Sequence, residues 1–344
     1  MTDQPPTASG FAPTDEAEAR LALKPGWRAA ARAFPMRWPR PYLELAASAA
    51  GAPVRAMGAP DPAELDADPG DLADPVGDHA RQVEPFVIRK HQDRAILLVT
   101  ARCHFYCRFC FRRTYPAGSG EPSRAELDRA LDYLCGEPNI REVILSGGDP
   151  LVLPDGRLGE LLARLGGCDH IDTVRVHTRA PVHFPERVTA ALADLLGSGE
   201  PLWLVAHFNH PVELTTAARR ALATLRRAGV PLLNQAVLLR GVNDDPDVLA
   251  ELCRGLYRER VKPYYLHHPD RAPGNVRFRL TIARGLELHR ALRALLPGPA
   301  LPEYVIDLPD GSGKVPVASL ERTATGLYRR PGSRYEFADI PDRD

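Results

Sequence analysis

The chain has 344 residues, 44 basic and 44 acidic side chains, 44% hydrophobic and 26% charged residues, and so no formal net charge. This balance excludes a basic nucleic-acid binder and a disordered tail protein, and no apolar run reaches the roughly 18 residues that cross a bilayer. The start, MTDQPPTASG, lacks the basic and apolar regions of a secretion signal, so a cytoplasmic protein with no nucleic-acid or membrane partner is expected.

Residues 1–85 are rich in Ala, Pro, Asp and Gly, with short helical patches such as Tyr42 to Ala50, and read as a helical and irregular extension. From Arg94 the pattern changes. Apolar runs at Ala95 to Thr100, Val143 to Gly148, Thr173 to Arg179, Leu202 to Asn209, Leu232 to Leu239 and Val261 to His268 predict six strands. Between them, helices are predicted over Ser123 to Cys135, opened by a Ser123/Glu126 capping box, and over Arg157 to Leu165, Pro185 to Leu196, Thr215 to Ala228 and Asp247 to Arg258. Strand and helix alternating every 30 residues or so mark βαβ units of a parallel sheet. Six units suit an α/β fold of the partial (β/α)6 barrel type over residues 86–300, followed by a C-terminal segment, 301–344. Polar residues gather at the C-terminal ends of the runs, among them Ser146 to Asp149, His177 to Arg179, His207 to His210, Asn234 with Gln235, and His267 to Asp270. In parallel barrels that face holds the active site.

Six cysteines are too few for a disulfide scaffold, yet three are grouped directly after the first predicted strand as Cys103-x3-Cys107-x2-Cys110. Three thiolates on one loop are the ligand type of an iron–sulfur cluster, and a [4Fe–4S] cube so held keeps one iron open to a small molecule. The same thiols with His104 make a structural zinc site the alternative. Cys135, Cys168 and Cys253 read as small core or surface residues. Only four of the 44 basic residues are lysines, so a lysine in a special setting carries information. Lys314 stands in Asp310-Gly-Ser-Gly-Lys-Val-Pro316, where an open backbone would admit a bulky planar partner. A Schiff base with pyridoxal phosphate (PLP) is one reading, and a solvated turn lysine is the other.

The cysteine loop, followed by Ser146-Gly147-Gly148-Asp149-Pro150 after the second strand, resembles the radical S-adenosylmethionine (SAM) superfamily. The likeness implies a SAM-binding [4Fe–4S] cluster on Cys103, Cys107 and Cys110, with Ser146, Gly147, Gly148 and Asp149 at the SAM. The runs His207 to Pro211, Asn234 to Asp244, Lys262 to Tyr265 and Val305 to Lys314 resemble lysine 2,3-aminomutases over about Phe86 to Val317. That resemblance implies PLP on Lys314, the substrate carboxylate on Arg112, the ε-ammonium on Asp270 and Asp307, and His207, Gln235 and Arg94 in the SAM and PLP pocket. It also implies an isomerase acting on a small amino acid, L-lysine, to give β-lysine, reduced by a protein such as flavodoxin or ferredoxin, with a homo-oligomer in view.

Two departures bear on this. No cysteine follows Cys253, and Asp245 stands where the family's remaining zinc ligand would be, so interface zinc is not expected. The chain is also similar to shorter paralogues associated with elongation factor P, through Cys110 to Arg113, His177 and Tyr264 to His267, although Asp307 favours lysine. The alternatives are action on a protein-bound lysine, an aminomutase of glutamate, arginine or ornithine, and a zinc-stabilised α/β binding module.

Overall fold

The computed structural model describes residues 10–113, 120–199 and 201–340. Residues 1–9, which carry most of the MTDQPPTASG start and open the 1–85 extension, lie outside the described residues. In the rest of the extension, β1 (Phe11–Ala12) pairs antiparallel with β2 (Trp38–Pro39), beside helices α1 (Thr14–Leu21), α2 (Trp27–Ala33), α3 (Arg40–Ala47) and α4 (Ala52–Gly58). A ten-stranded sheet comes next, its strands in chain order. β3 (Gln82–Glu84) and β4 (Val87–Ile88) enter antiparallel. The six expected strands come after them, all parallel: β5 (Arg94–Thr100), β6 (Glu142–Gly147), β7 (Thr173–Thr178), β8 (Leu202–Ala206), β9 (Leu232–Val237) and β10 (Lys262–His267). β11 (Glu303–Leu308) adds a further parallel strand and β12 (Gly313–Pro316) an antiparallel edge; β13 (Glu321–Arg322) and β14 (Tyr328–Arg329) form a separate hairpin. The curled sheet is a half-barrel of α/β class, with α5 (Arg124–Gly136), α6 (Asp155–Gly166), α7 (Ala180–His183), α8 (Ala190–Gly197), α9 (Thr216–Arg227), α10 (Pro246–Arg258) and α11 (Ile282–Leu295) placed after the strands.

Side-chain alternation separates the two faces of the sheet. Ala95, Leu97 and Val99, Val143 and Leu145, Val174 and Val176, and Leu202 and Leu204 share one core with the buried stripes of the helices, such as Leu127, Leu131 and Leu134 of α5. Ile96 and Leu98 instead pack with Phe86 and Ile88 on the concave face. Their alternation partners along the other strands are the polar residues Ser146, His177, His207, Gln235 and His267.

Three local expectations are corrected. Cys135 and Cys168 are disulfide-bonded, with Cα atoms 5.5 Å apart. Helices α5 and α6 flank neighbouring parallel strands, which brings their C-terminal ends side by side. Cys253 is a buried core residue of α10 as expected. The predicted helix from Pro185 is interrupted: a 3-10 turn at Pro185–Arg187 precedes α8, whose N-cap Thr189 accepts from Leu192 N. Helix α11 was not among the expected elements. Its buried positions Ile282, Gly285, Leu288 and Leu292 carry the helical period, and at Gly285 a Cβ would lie 1.8 Å from the Tyr304 hydroxyl.

The open side of the half-barrel is closed by the segment before β5. Gly77 meets Gly311 so closely that a Cβ on Gly77 would lie 2.4 Å from Gly311 N, and one on Gly313 would lie 2.8 Å from His91 Nε2. These contacts bring Gly77 and His91, which flank β3 and β4, against the turn before Lys314.

Asp245 caps α10: its Oδ1 accepts from Asp247 N at 2.8 Å and Val248 N at 3.2 Å. Asp245→Ala is therefore expected to lower stability by about 1 kcal/mol, read as a few degrees in a thermal melt. An unchanged melting temperature would contradict the capping role.

Candidate active site

The loop after β5 is fixed from both sides. Gly148 N donates to Thr100 O at 2.6 Å and Asp149 N to Arg102 O at 2.8 Å, so the turn after β6 lies flat on the approach to Cys103. This explains both glycines: Gly147 has φ +119°, and a Cβ on Gly148 would fall 2.0 Å from Arg102 O. On the other side, Arg108 N donates to Met57 O of α4, and the buried Arg108 guanidinium pairs with Glu64. A cavity of about 230 Å³ opens there, lined among others by Cys103, Cys110, Gly147, Gly148, Arg112 and Phe86. A larger groove of about 380 Å³ between α6 and α8 is lined by residues such as Gly159, Leu162 and Leu195, with no ionisable or sulfur-bearing group, so size does not locate the chemistry.

Burial pushes all three thiols up, Cys110 to about 11; neighbouring negative charge adds to this at Cys103 and Cys110, whereas Arg179 opposes it at Cys107. Arg179 Nη1 donates to Cys107 Sγ at 2.7 Å. His104 faces elsewhere: its ring packs 5.1 Å from Phe184, and neither ring nitrogen has a hydrogen-bond partner. Among the described residues no three His, Cys, Asp or Glu side chains gather as they would around a single ion. The donor set, three thiols on one loop beside glycine backbone, fits a [4Fe–4S] cluster with SAM on its open iron.

The other candidate residues fall into two groups. At the strand ends, Ser146 Oγ accepts from Arg112 Nη1 at 3.0 Å. Asp149 is saturated by the fold, taking Thr178 Oγ1 at 2.6 Å, Leu151 N at 3.0 Å and Arg179 N at 2.9 Å. His207 and Gln235 touch through their side-chain nitrogens, and Gln235 Nε2 lies 3.3 Å from His177 Nδ1. Burial holds His177 and His207 far below the usual histidine range, so both rings are neutral. Arg94 is not brought to the cysteine end: it opens β5, pairs with Asp93 at 3.0 Å, and shares His91 as a neighbour with Lys314.

The second group centres on Lys314, whose Nζ lies 3.1 Å from Asp307 Oδ2 across the β11–β12 pair. Burial alone would raise Asp307, but Lys314 and Lys90 hold it below the ordinary range. Asp270 stands near it and is pushed up to about 8, by burial and then by the Asp307 charge. His267, 3.8 Å from Asp307, is lowered to about 4, by burial and then by Lys314. The other three lysine amines have partners of their own: Lys90 Nζ is bound by Asp78 and Val76 O, Lys262 by two backbone carbonyls and Lys24 by Asp61. The setting of Lys314, an accessible amine at a glycine turn over a buried carboxylate, fits PLP.

Sequence reading missed Asp78 and named Arg179 only within the His177 to Arg179 strand-end cluster. Asp78 lies in the segment that closes the mouth, where it bridges Lys90 at 2.8 Å and Arg112 at 2.9 Å. Burial would raise it, yet the two cations bring it to about 2. Arg112 thus reaches the cavity already oriented by Asp78 and Ser146. The scarcity of lysine was a signal for Lys90; an aspartate in an Asp-rich extension gave none.

The radical SAM superfamily profile matches residues 97–253. The chain is 41% identical to the L-lysine 2,3-aminomutase of Clostridium subterminale over 266 residues, 77% of this chain and 64% of that protein, so it spans under two thirds of that relative's length. It is 42% identical to an Aquifex aeolicus relative of that enzyme over 287 residues, 83% of this chain and 76% of the other. It is also 37% identical over 266 residues to the glutamate 2,3-aminomutase of Clostridioides difficile, covering 77% of this chain and 63% of that one.

The raised Asp270 gives a stability signature. Its neutral form is favoured in the fold, so its contribution is complete below the unfolded-state value near 4 and is lost as pH rises through about 8. Asp270→Asn removes that loss. Between pH 5 and pH 8 the variant should gain stability relative to the parent, by no more than about 1.4 kcal/mol per pH unit. Parallel melting curves across that range would contradict the assignment.

Proposed function

Because the chain belongs to the L-lysine 2,3-aminomutase family within the radical SAM superfamily, we propose that it is an isomerase moving the α-amino group of free L-lysine to the β-carbon. The observation that carries this reading is the convergence of Asp270 and Asp307 beside the amine of Lys314 in the half-barrel that also carries the three-cysteine loop. When bound, a [4Fe–4S] cluster with SAM supplies hydrogen-atom abstraction, and PLP supplies imine chemistry for the migrating nitrogen. In this reading Cys103, Cys107 and Cys110 hold the cluster; Ser146, Gly147 and Gly148 offer backbone and hydroxyl to SAM; His207 and Gln235 line the cofactor pocket; and Lys314 holds PLP. The electron comes from a protein reductant of the flavodoxin or ferredoxin class.

The protein's own contribution is charge matching and positioning. Asp307 neutralises Lys314, while Asp270 keeps its proton at neutral pH. A substrate ammonium entering between them is matched when Asp270 releases that proton. At the other end, the Arg112 fork, braced by Asp78, meets the carboxylate. Every charged group of lysine then has one partner, with the α-nitrogen left for PLP. Glutamate would bring a second anion beside the Asp307 carboxylate, with no ammonium to match Asp270 on loss of its proton, which is the electrostatic argument against the glutamate alternative.

Two measurements test this. Borohydride reduction of PLP-loaded protein followed by peptide mapping should place the pyridoxyl group on Lys314, and finding it on Lys90 or Lys262 would refute that role. In an anaerobic assay with reductant, SAM and PLP, lysine should be isomerised and glutamate should not. Asp307→Asn should lower kcat/KM for lysine by the equivalent of about 2–5 kcal/mol, the range for truncating one partner of a buried charge pair. Glutamate turnover at the lysine rate, or unchanged lysine kinetics in the variant, would sink the substrate assignment.

A further inference from the structure

We propose that Arg179 is a positioning residue that sets the reduction potential of the cluster on the cysteine loop, with Glu213 and Tyr42 fixing its charge. The proposal rests on the cluster reading and goes beyond it. Arg179 follows β7, and its guanidinium is bound on every side: Nη1 donates to Cys107 Sγ at 2.7 Å, Nε to His207 O at 3.0 Å, and Nη2 to Glu213 Oε1 at 2.7 Å and Tyr42 OH at 3.3 Å. Phe105 and Phe109 flank it, with ring centroids 5.8 and 5.6 Å from its Cζ. Arg179 is 7% exposed, Tyr42 1% and Glu213 0%.

The network does not wander. Glu213 Oε2 accepts from Asn209 N at 2.6 Å and His210 N at 3.0 Å, and Tyr42 OH donates to Oε1 at 2.5 Å. The backbone N of Arg179 is held by Asp149. Desolvating an ion pair is costly, and apolar packing could fill this space, so a purely structural role does not account for a cation aimed at a cysteine sulfur.

Reduction adds one electron's charge to the cluster. A buried cation that also donates a hydrogen bond to a ligand sulfur stabilises the reduced form more than the oxidised form, which raises the potential. Glu213 acts with the opposite sign through the same low-dielectric space. The two residues therefore make opposed predictions, which general damage to the fold would not.

The test uses the full chain, anaerobically reconstituted without SAM and titrated with dithionite, with the reduced cluster read by electron paramagnetic resonance. Arg179→Gln should lower the reduced-to-oxidised ratio at a fixed potential at least tenfold, about 59 mV for one electron, while Glu213→Gln should raise it. Shifts of the same sign, or none, at intact iron content would overturn the proposal. Should Arg179→Gln not load iron, the parent protein decides. With ¹⁵N-guanidino arginine its reduced cluster should show a ¹⁵N hyperfine coupling that Arg179→Lys abolishes, and absence of that coupling overturns the proposal. Parent protein that assembles no iron at all would instead refute the cluster reading itself.

Discussion

The site depends on hydrogen bonds that tie each strand-end loop to the next. Gly148 and Asp149 after β6 donate to Thr100 and Arg102 after β5. The Asp149 carboxylate reaches Thr178 and Arg179 after β7, and Arg179 reaches His207 O after β8. Asn234 Oδ1 accepts from Phe208 N, Asn209 Oδ1 accepts from Val237 N, and His268 N donates to Val305 O. A parallel sheet leaves these backbone groups without ladder partners where its strands stop, and buried polar groups must be satisfied. The polar residues that meet this need make the rim of the half-barrel rigid. That rigidity places thiols, imidazoles and carboxylates from distant parts of the chain along one rim of the half-barrel.

The second constraint is charge. Asp78 with Lys90 and Arg112, Asp307 with Lys314, and Glu213 with Arg179 are largely buried pairs or triads, in which each ion compensates another. Asp270 has no such cation of its own and stays protonated instead. The imidazoles of His177, His207 and His267 are likewise neutral because burial makes their charged forms expensive. These sets hold four cations and three anions, so one positive charge, at Arg112, is left for a substrate carboxylate, while an added cation has Asp270 as its acceptor.

What was legible in the sequence was what neighbours dictate. Alternating apolar runs gave the six parallel strands, Ser123 and Glu126 gave the start of α5, and the cysteine spacing and the glycine-set Lys314 gave the candidate site. What was not legible depends on contacts between distant segments. Arg179 was one polar residue in a strand-end cluster until Cys107, 72 positions away, and Glu213, 34 away, came to meet it. Asp78 lay in a stretch with no periodicity, and the Cys135 to Cys168 bond joins two helix ends 33 residues apart. Gly77 gave no hint that it packs on Gly311, since a glycine in a loop reads as a turn before it reads as a close contact.

If one half-barrel holds an iron–sulfur cluster and a lysine-bound PLP together, anaerobic diffraction at the iron edge from protein loaded with iron, sulfide, SAM and PLP should place both. Iron is expected within bonding distance of Cys103, Cys107 and Cys110, with density for PLP continuous with Lys314 Nζ in the same cavity. A single metal ion on the cysteines, or PLP density on any other lysine, would contradict this reading.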